Sequence, residues 1–418
     1  MAKKTYEKII VGGGASGLMA AYSACCVKSN ANEKPEILVL ESNDKPGKKL
    51  TATGNGKCNY TNLNQSMDCY RSGDSEKAFR IIGYFNQDET LRFFKSIGIL
   101  NVERNGYCYP HGEQARTLRD VLVKKAESLG ATILTGKKVS DIEKKEGIYN
   151  VTCEDGSLYR TKKLVICTGG KAAPVFGTDG AVLEILKKMG LSISEPKPAL
   201  CGLTLNYEHL RKIDGVRLKC RVSLLTDSSW GMPYSELGEV IFNKRGISGI
   251  PVMNLSRFAI NALENNEHPV LSLDFFPDMD IKDLKSYMNS VILNSVVPIG
   301  TALSALINDK LLEILMTDAG LPFDKASDTV DSGTIRKGLG TLAGSLKNFK
   351  LEIKGDTGFL NAQTTQGGVI LKEVDERTLE SYKYPGMSLA GEVLDVDGMC
   401  GGYNLQWAWT TGYLAGKN

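Results

Sequence analysis

A glycine-rich turn near the start of the chain restricts the fold more than any other feature. Residues 8–11 predict a short buried strand, and glycines follow it at once at the spacing G-x-G-x-x-G: Gly12, Gly14 and Gly17. Residues 18–27 are rich in Ala, Leu and Met, which predicts a helix. A strand, a glycine turn and a helix in this order predict the first half of a βαβ unit that binds a dinucleotide.

Each glycine of the turn has a separate physical task. Gly12 permits the tight turn, Gly14 leaves room for a pyrophosphate, and Gly17 lets the helix pack closely on the strand. The backbone amides of Ala15 and Ser16 begin the helix, where unpaired N–H groups and the helix dipole attract a diphosphate.

The second strand supplies the acidic residue that completes this unit. Residues 36–40 predict a strand, apolar from Ile37 to Leu40, that ends in Glu41 and is followed by Ser42. A carboxylate there accepts hydrogen bonds from ribose hydroxyls and disfavours a 2′-phosphate, so NADP is not expected at this site. The spacing from Gly17 is longer than usual, and we assign the excess to a polar loop over 29–35.

Length and composition limit the remaining possibilities. The chain has 418 residues, which predicts two or three domains, and its net charge of +3 favours neither nucleic acid nor an anionic membrane as a partner. No apolar run is long enough to span a membrane, and residues 1–8 lack the apolar stretch of a signal peptide, so we expect a cytoplasmic protein. Ten scattered cysteines and three isolated histidines predict reduced thiols and no metal site. The sequence indicates no oligomeric state.

The segment 46–62 has an unusual composition of glycines, hydroxyls, amides and lysines. Such a loop cannot fill a core, but it offers many donors to a polar, anionic ligand. Its sequence GKKLTATGNGKCNYTN resembles the signature of the HI0933-like flavoproteins, also called the BaiN or aminoacetone oxidase family, which are relatives of the glutathione-reductase-type FAD proteins. The resemblance implies that this segment lies over the FAD diphosphate and beside the isoalloxazine ring. The implied contacts are Lys49, Thr53, Gly54, Asn55, Gly56, Cys58 and Asn59.

The next part of the chain predicts the rest of the nucleotide-binding sheet. Residues 76–85, 88–97 and 114–129 predict helices, and alternating segments from 131 to 167 predict a parallel strand and a small antiparallel meander. Val139 begins that meander and is one of the predicted FAD contacts. A buried strand then ends in Thr168, Gly169 and Gly170, which resembles the second FAD motif of the glutathione-reductase type.

The middle of the chain has a different pattern. Short strands are predicted from about 203 to 275, and amphipathic helices at 281–295, 303–316 and 334–346. The family resemblance implies a β-barrel and a helical subdomain that cover the flavin. We therefore expect an α/β protein with three domains: a Rossmann-like FAD-binding domain from 1–197 and 357–418, a β-barrel-like domain from 198–278 and 345–356, and a helical subdomain from 279–344.

The C-terminal segment returns to the flavin site. It resembles the family pattern in which a short strand presents a carboxylate and a glycine pair opens the last helix. A helix that begins near Asn404 would direct free N–H groups at the reduced flavin and stabilise its negative charge. The predicted contacts in this segment are Gly391, Glu392, Asp397, Gly402, Tyr403, Asn404 and Leu405.

These signals predict an FAD-dependent oxidoreductase that transfers hydride between the flavin and a small organic substrate, with NADH or NADPH as an optional transient reductant. The catalytic residue is left open among Tyr403, Asn404, Gln366, Cys58 and Asn59. Alternatives are an amine oxidase that uses oxygen, a non-catalytic FAD-binding sensor or partner protein, and an RNA-modifying flavoprotein, which the near-neutral charge disfavours. A plain NAD-dependent dehydrogenase would not need the C-terminal motifs.

Overall fold

A computed structural model describes residues 4–29, 36–228, 234–293 and 295–418. The chain forms two compact units: unit 1 is Met1–Ala199 with Ala362–Asn418, and unit 2 is Leu200–Asn361. Unit 1 is therefore built from both ends of the sequence. The division into three domains stays a prediction. Most of the loop predicted at 29–35 lies outside the described residues.

The helices and strands follow one another in chain order. The N-terminal part of unit 1 contains β1 (Thr5–Val11), α1 (Ala15–Ser29), β2 (Ile37–Leu40), β3 (Thr61–Asn62), β4 (Tyr70–Arg71), α2 (Ser75–Gly83), α3 (Gln87–Ser96), β5 (Asn101–Arg104), β6 (Tyr107–Pro110), α4 (Ala115–Ser128), β7 (Thr132–Leu134), β8 (Val139–Lys145), β9 (Ile148–Cys153), β10 (Leu158–Ile166), α5 (Ala181–Lys188) and β11 (Ile193–Ala199). Unit 2 contains β12 (Leu203–Asn206), β13 (Arg217–Leu225), β14 (Tyr234–Asn243), β15 (Gly246–Ser248), α6 (Ile250–Glu264), β16 (Val270–Asp274), α7 (Ile281–Leu293), α8 (Ile299–Leu303), α9 (Asp309–Asp318), α10 (Ser332–Lys347) and β17 (Phe349–Asp356). The C-terminal part of unit 1 contains β18 (Thr364–Val369), β19 (Met387–Leu389), β20 (Asp397–Gly398) and α11 (Tyr403–Lys417).

A seven-stranded sheet organises unit 1, in the order β7-β2-β1-β10-β9-β8 with β19 paired to β10. The strands β7, β2, β1, β10 and β19 pair in parallel, whereas β8, β9 and β10 form an antiparallel meander. All four residues of β2 are buried, as expected for a parallel strand covered on both faces. This arrangement confirms the predicted α/β class with a Rossmann-type sheet.

Two helices from opposite ends of the sequence pack closely in unit 1. Gly412 and Gly416 lie one turn apart on α11 and face α1. A methyl group built at Gly412 would lie 2.3 Å from the carbonyl oxygen of Ser16, and one built at Gly416 would lie 2.3 Å from that of Ala20. Because these positions have no side chain, the two helix backbones can touch, and the last helix is fixed against the first.

Unit 2 contains a closed barrel of six strands, in the order β12-β15-β14-β13-β16-β17, followed along the chain by helices. The barrel is the one that the sequence predicts from the family resemblance. The helix predicted at 303–316 is wrong in its extent, because the structure has two helices there, α8 and α9. The side chain of Asn308 caps α9 by accepting a hydrogen bond from the amide of Lys310, and this cap starts a new helix.

The described ranges contain no helix that is both long enough and apolar enough to cross a membrane. Within the same ranges, no three His, Cys, Asp or Glu side chains are grouped so that they could hold a metal ion. All ten cysteines are free thiols.

Candidate functional site

The glycine turn lies at the carboxyl end of β1, where the sheet meets α1. Gly12 has a φ of +99°, and a methyl group there would lie 2.4 Å from the carbonyl oxygen of Cys167. At Gly17 a methyl group would lie 1.8 Å from the carbonyl oxygen of Gly12. At Gly14, by contrast, it would meet nothing within 4 Å. The first and third glycines are therefore needed for packing, and the second leaves open space in front of the helix N-terminus.

Glu41 stands beside this turn with its side chain almost fully buried. One carboxylate oxygen, Oε2, accepts a hydrogen bond from the amide of Gly13 at 2.7 Å. The other, Oε1, accepts from the amide and the side chain of Asn43 at 2.7 and 2.8 Å, and Ser42 donates to it at 3.3 Å. Since an ionised carboxylate has about four acceptor positions, Oε2 retains room for a ribose hydroxyl.

Val139 is connected to Glu41 through a backbone hydrogen bond of the segment that precedes it. It begins β8 two residues after Lys137, whose backbone amide donates to the carbonyl oxygen of Glu41 at 2.8 Å. The structure thus places Val139 near Glu41 through the connecting backbone.

The turn after β10 meets residues from the other end of the sequence. The hydroxyl of Thr365 on β18 accepts hydrogen bonds from the amides of Lys171 and Ala172, at 2.7 and 2.9 Å. A methyl group at Gly170 would lie 2.4 Å from this hydroxyl oxygen. The hydroxyl of Thr168 is buried and has no hydrogen-bond partner among the described residues.

An ion pair connects this turn to the polar loop. Lys49 Nζ lies 2.9 Å from Glu392 Oε2, and both side chains are about one-quarter exposed or less. The other oxygen of Glu392 accepts from the amide of Thr365 at 2.9 Å. Lys49 and Glu392 are more than 300 residues apart in sequence, and with Thr365 they form one hydrogen-bonded cluster beyond the carboxyl ends of β10 and β19.

The polar loop forms a tight series of turns. Lys49–Gly56 is a 3₁₀ segment that is interrupted at Thr53, and Gly54 and Asn55 both have positive φ. A methyl group at Gly54 would lie 2.8 Å from the amide nitrogen of Asn59, whereas at Gly56 it would meet nothing within 4 Å. Asn59 Oδ1 is buried without a hydrogen-bond partner among the described residues.

Cys58 lies in this loop but has no exposed surface. Burial raises the pKa of its thiol to about 12, so it is a thiol rather than a thiolate at neutral pH.

The helix α11 begins against the same loop. Gly402 precedes it with a φ of +93°, and a methyl group there would lie 2.7 Å from the carbonyl oxygen of Thr61 and 3.0 Å from Asn59 Oδ1. No side chain caps the helix. The first amides of α11, at Tyr403, Asn404 and Leu405, therefore point out of the helix with no intrahelical acceptor.

The side chains of Tyr403 and Asn404, two of the catalytic candidates, hydrogen-bond to the backbone of neighbouring segments. The side-chain amide of Asn404 makes two hydrogen bonds with the backbone of Gly398. Its Oδ1 accepts from the N–H and its Nδ2 donates to the carbonyl oxygen, both at 2.8 Å. The hydroxyl of Tyr403 donates to the carbonyl oxygen of Asn64 at 2.9 Å. Their backbone amides remain at the helix N-terminus. Gln366 is nearly buried on β18, next to Thr365.

Gly391 and Asp397 lie in the interior of the C-terminal segment. A methyl group at Gly391, whose φ is +80°, would lie 2.5 Å from Ser16 Oγ. Trp407 donates to the carbonyl oxygen of Gly391 at 3.1 Å. Asp397 is fully buried, and its strand β20 pairs with β4. These contacts fix the segment against the start of α1.

Sequence reasoning missed Thr365 and the hairpin β5–β6 as parts of this site. β3, which continues the polar loop, pairs with β6, so that Thr61 lies opposite Cys108 and Asn62 opposite Tyr107. Asn62 Nδ2 donates to the carbonyl oxygen of Gly401 at 2.9 Å. The aromatic pattern of residues 107–109 was the only available signal, and pairing in space was needed to interpret it.

These features fit an FAD molecule. Two helix N-termini that directly follow a glycine, α1 after Gly14 and α11 after Gly402, suit the diphosphate and the anionic edge of a reduced flavin. At Gly14, directly before α1, a methyl group would meet nothing within 4 Å, which leaves open space in front of that helix. Asn59 Oδ1 and Thr168 Oγ1 are buried oxygen atoms that lack a partner in the described chain, which is the expected condition of groups that bind a ligand.

Comparison with known proteins agrees with this geometry. The HI0933-like protein Rossmann domain family matches residues 6–418. The chain belongs to this family. A 3-dehydro-bile acid delta(4,6)-reductase of Clostridium scindens is 34% identical over 415 residues, covering 98% of this chain and 97% of the relative. The match supports a flavoprotein oxidoreductase.

Two further relatives have a different name. Ribosomal RNA dihydrouridine synthases of Escherichia coli and Haemophilus influenzae are each 26% identical, over 99% and 97% of this chain and 98% and 96% of their own lengths. The expectation that nucleic acid is not a partner of this chain stays a prediction.

Solved structures share the fold at low sequence identity. A 3-ketosteroid delta1-dehydrogenase of Sterolibacterium denitrificans has a TM-score of 0.51 at 12% identity, covering 99% of this chain and 98% of its own. The FrdA chain of an E. coli quinol fumarate reductase has a TM-score of 0.50 at 16% identity, covering 100% of this chain and 70% of its own.

Proposed function

We propose that this protein is an FAD-dependent reductase that saturates a carbon–carbon double bond conjugated to a carbonyl group, with NADH or NADPH as the electron donor. The observation that carries the proposal is the start of α11, which no side chain caps, together with the start of α1, where Gly14 leaves open space in front of the helix. Bound FAD would supply hydride transfer at its N5 position.

The proposed FAD contacts divide into two groups. The amides at the start of α1 would bind the diphosphate, Glu41 Oε2 would bind a ribose hydroxyl, and Val139 would lie towards the adenine. Lys49, Glu392 and the polar loop would hold the ribityl chain and the flavin ring. The amides at the start of α11 would stabilise negative charge on the reduced ring.

The relatives support the choice of substrate. A 3-oxo steroid with double bonds at positions 4 and 6 and the uracil ring of uridine share one reactive group, a carbon–carbon double bond conjugated to a carbonyl. Relatives of this chain are named for the reduction of one or the other. A small, planar conjugated carbonyl compound is therefore the substrate class that we propose.

The visible absorption spectrum of the purified protein tests this proposal. Bands near about 375 and 450 nm, bleached under anaerobic conditions by NADH or NADPH and restored by a conjugated enone, are the expected result. A colourless protein that does not take up added FAD would overturn the proposal. Bands that bleach only with an amine would favour the alternative of an amine oxidase, and bands that respond to no donor would favour a sensor.

A second candidate is reduction of uridine in ribosomal RNA. Two full-length relatives at 26% identity favour it, while the near-neutral net charge of +3 gives little electrostatic attraction for RNA. Incubating the reduced protein with unmodified ribosomal RNA and measuring dihydrouridine by mass spectrometry distinguishes the RNA substrate from a small conjugated carbonyl substrate. Dihydrouridine formed at a defined position would favour the RNA substrate.

A further inference from the structure

The strand β6 places two tyrosines on the same side. Its burial alternates, with Cys108 and Pro110 buried and Tyr107 and Tyr109 only partly buried. Because side chains alternate along a strand, residues two apart share a face. Tyr107 and Tyr109 are therefore neighbours on the less buried face of this strand, and we call them the tyrosine pair.

Each ring of the tyrosine pair approaches a glycine of the proposed flavin site. A methyl group at Gly54, in the polar loop, would lie 3.6 Å from Tyr109 Cε1. A methyl group at Gly401, just before α11, would lie 3.2 Å from Tyr107 Cε1. The pair thus contacts both segments that are proposed to hold the flavin ring.

Backbone hydrogen bonds fix the pair in this place. The amide of Tyr60 donates to the carbonyl oxygen of Cys108 at 2.9 Å, directly after the loop residue Asn59. Asn62 lies opposite Tyr107 in the β3–β6 pair, and its side chain donates a hydrogen bond to the carbonyl oxygen of Gly401. The strand that carries the pair is therefore tied through β3 both to the polar loop and to the start of α11.

We infer that Tyr107 and Tyr109 form an aromatic wall that contacts the ring of the substrate and determines specificity for planar cyclic compounds. A flat conjugated ring packs favourably on a tyrosine, and a partly buried ring offers apolar surface next to a polar hydroxyl. The inference deepens the proposed function and rests on it, because it concerns the substrate of the same site.

The test uses the full-length protein loaded with FAD, with the variants Tyr107→Ala, Tyr107→Phe and Tyr109→Ala. Progesterone serves as the cyclic enone and mesityl oxide as the acyclic one. We expect either alanine variant to raise KM for progesterone roughly tenfold or more relative to KM for mesityl oxide, while kcat changes less. Tyr107→Phe keeps the ring, so its ratio of KM for progesterone to KM for mesityl oxide should stay within about threefold of the wild-type ratio.

Tyr382→Ala is the matched control, because Tyr382 is a tyrosine of the same unit with 63% of its surface exposed, outside the proposed site. FAD affinity should be unchanged in all four variants. Equal losses for both enones, or weaker FAD binding together with unchanged KM ratios, would overturn the inference and leave the pair with a structural role.

A second readout separates this inference from the proposed function. If the wild type reduces neither enone, the proposed function fails. Progesterone binding can still be measured from the change that it causes in the flavin absorption spectrum. Binding that is weakened roughly tenfold by Tyr107→Ala would support the wall, whereas no binding to the wild type, or equal binding to the variant, would overturn it.

Discussion

Cys58 is a catalytic candidate by its position in the sequence, but its burial gives it a structural role. It lies beside Asn59 in the polar loop. Its φ of +61° falls in the left-handed region that non-glycine residues seldom adopt. Its thiol is fully buried and has a raised pKa. A buried thiol of this kind behaves as a small apolar side chain rather than as a nucleophile.

We therefore predict that Cys58→Ala keeps bound FAD and lowers kcat by less than about threefold, whereas loss of a general acid would cost at least about a hundredfold. Alkylation of the native protein with iodoacetamide at pH 8, followed by mass spectrometry, gives an independent check. The partly exposed thiols Cys26 and Cys400 should react while Cys58 stays unmodified. Rapid labelling of Cys58 would contradict the assignment.

Lys8 is a buried lysine in the middle of β1. Its Nζ donates to the carbonyl oxygen of Gly416, near the end of α11, at 2.5 Å. Burial, with a smaller contribution from the charge of Lys163, lowers the pKa of Lys8 from 10.5 to about 8. The unfolded chain therefore binds more protons than the folded one between about pH 8 and 10.5.

The contribution of Lys8 to the free energy of unfolding therefore rises with pH between about 8 and 10.5. We predict that the free energy of unfolding of the wild type, relative to Lys8→Met, increases by about 3 kcal/mol over it. Urea unfolding of both proteins at several pH values measures the difference in their free energies of unfolding. Groups that titrate alike in both proteins cancel in this difference. A difference that is flat between pH 8 and 10.5 would show that Lys8 titrates normally in the fold.

At the scale of elements, the contact between α1 and α11 joins the two ends of the sequence into one site. Gly412→Ala would place a methyl group 2.3 Å from the carbonyl oxygen of Ser16, so the helix backbones would have to separate. We predict a loss of about 1–3 kcal/mol in the free energy of unfolding. FAD affinity should also fall, because the amides of Ala15 and Ser16 would move.

Gly83→Ala is the control for this substitution. Gly83 ends α2 in the same unit, and a methyl group there would meet nothing within 4 Å. It should be neutral or slightly stabilising and should leave FAD affinity unchanged. Urea unfolding and titration of the apoprotein with FAD compare the two variants, and equal behaviour would mean that the helices tolerate separation.

At the scale of the whole molecule, the two units have separate hydrophobic cores. One core of unit 1 includes β1, β2 and β10, and the core of unit 2 combines the barrel strands with α6 to α10. A ligand that binds only the folded state of one unit stabilises that unit by mass action, by about 2.7 kcal/mol at a hundredfold excess over Kd.

We predict that FAD slows hydrogen exchange in unit 1, most strongly at residues 12–17, 53–59 and 402–405. The barrel strands β12–β17 should gain much less protection. Comparing the apoprotein with the FAD-saturated protein by mass spectrometry gives the result for each segment. Equal protection of both units would place a major part of the binding site in unit 2.

The sequence alone determined the features that depend on local order. A strand, a glycine turn and a helix are adjacent in the chain, so spacing was enough to predict the packing glycines Gly12 and Gly17 and the open position at Gly14. The α/β class, the meander and the barrel followed from strand patterns and the family resemblance. The single helix predicted at 303–316 was wrong in its extent, because a side-chain cap decides where a helix restarts.

The tertiary structure alone decided which distant residues meet. Thr365 reaches the turn after β10, Lys49 pairs with Glu392, and the tyrosine pair lies against Gly54 and Gly401. None of these contacts has a local signal, since each depends on how the sheet brings segments from both ends of the chain to one edge. Burial also decided that Cys58 keeps its proton, because the pKa of a thiol depends on its surroundings in space rather than on its neighbours in sequence.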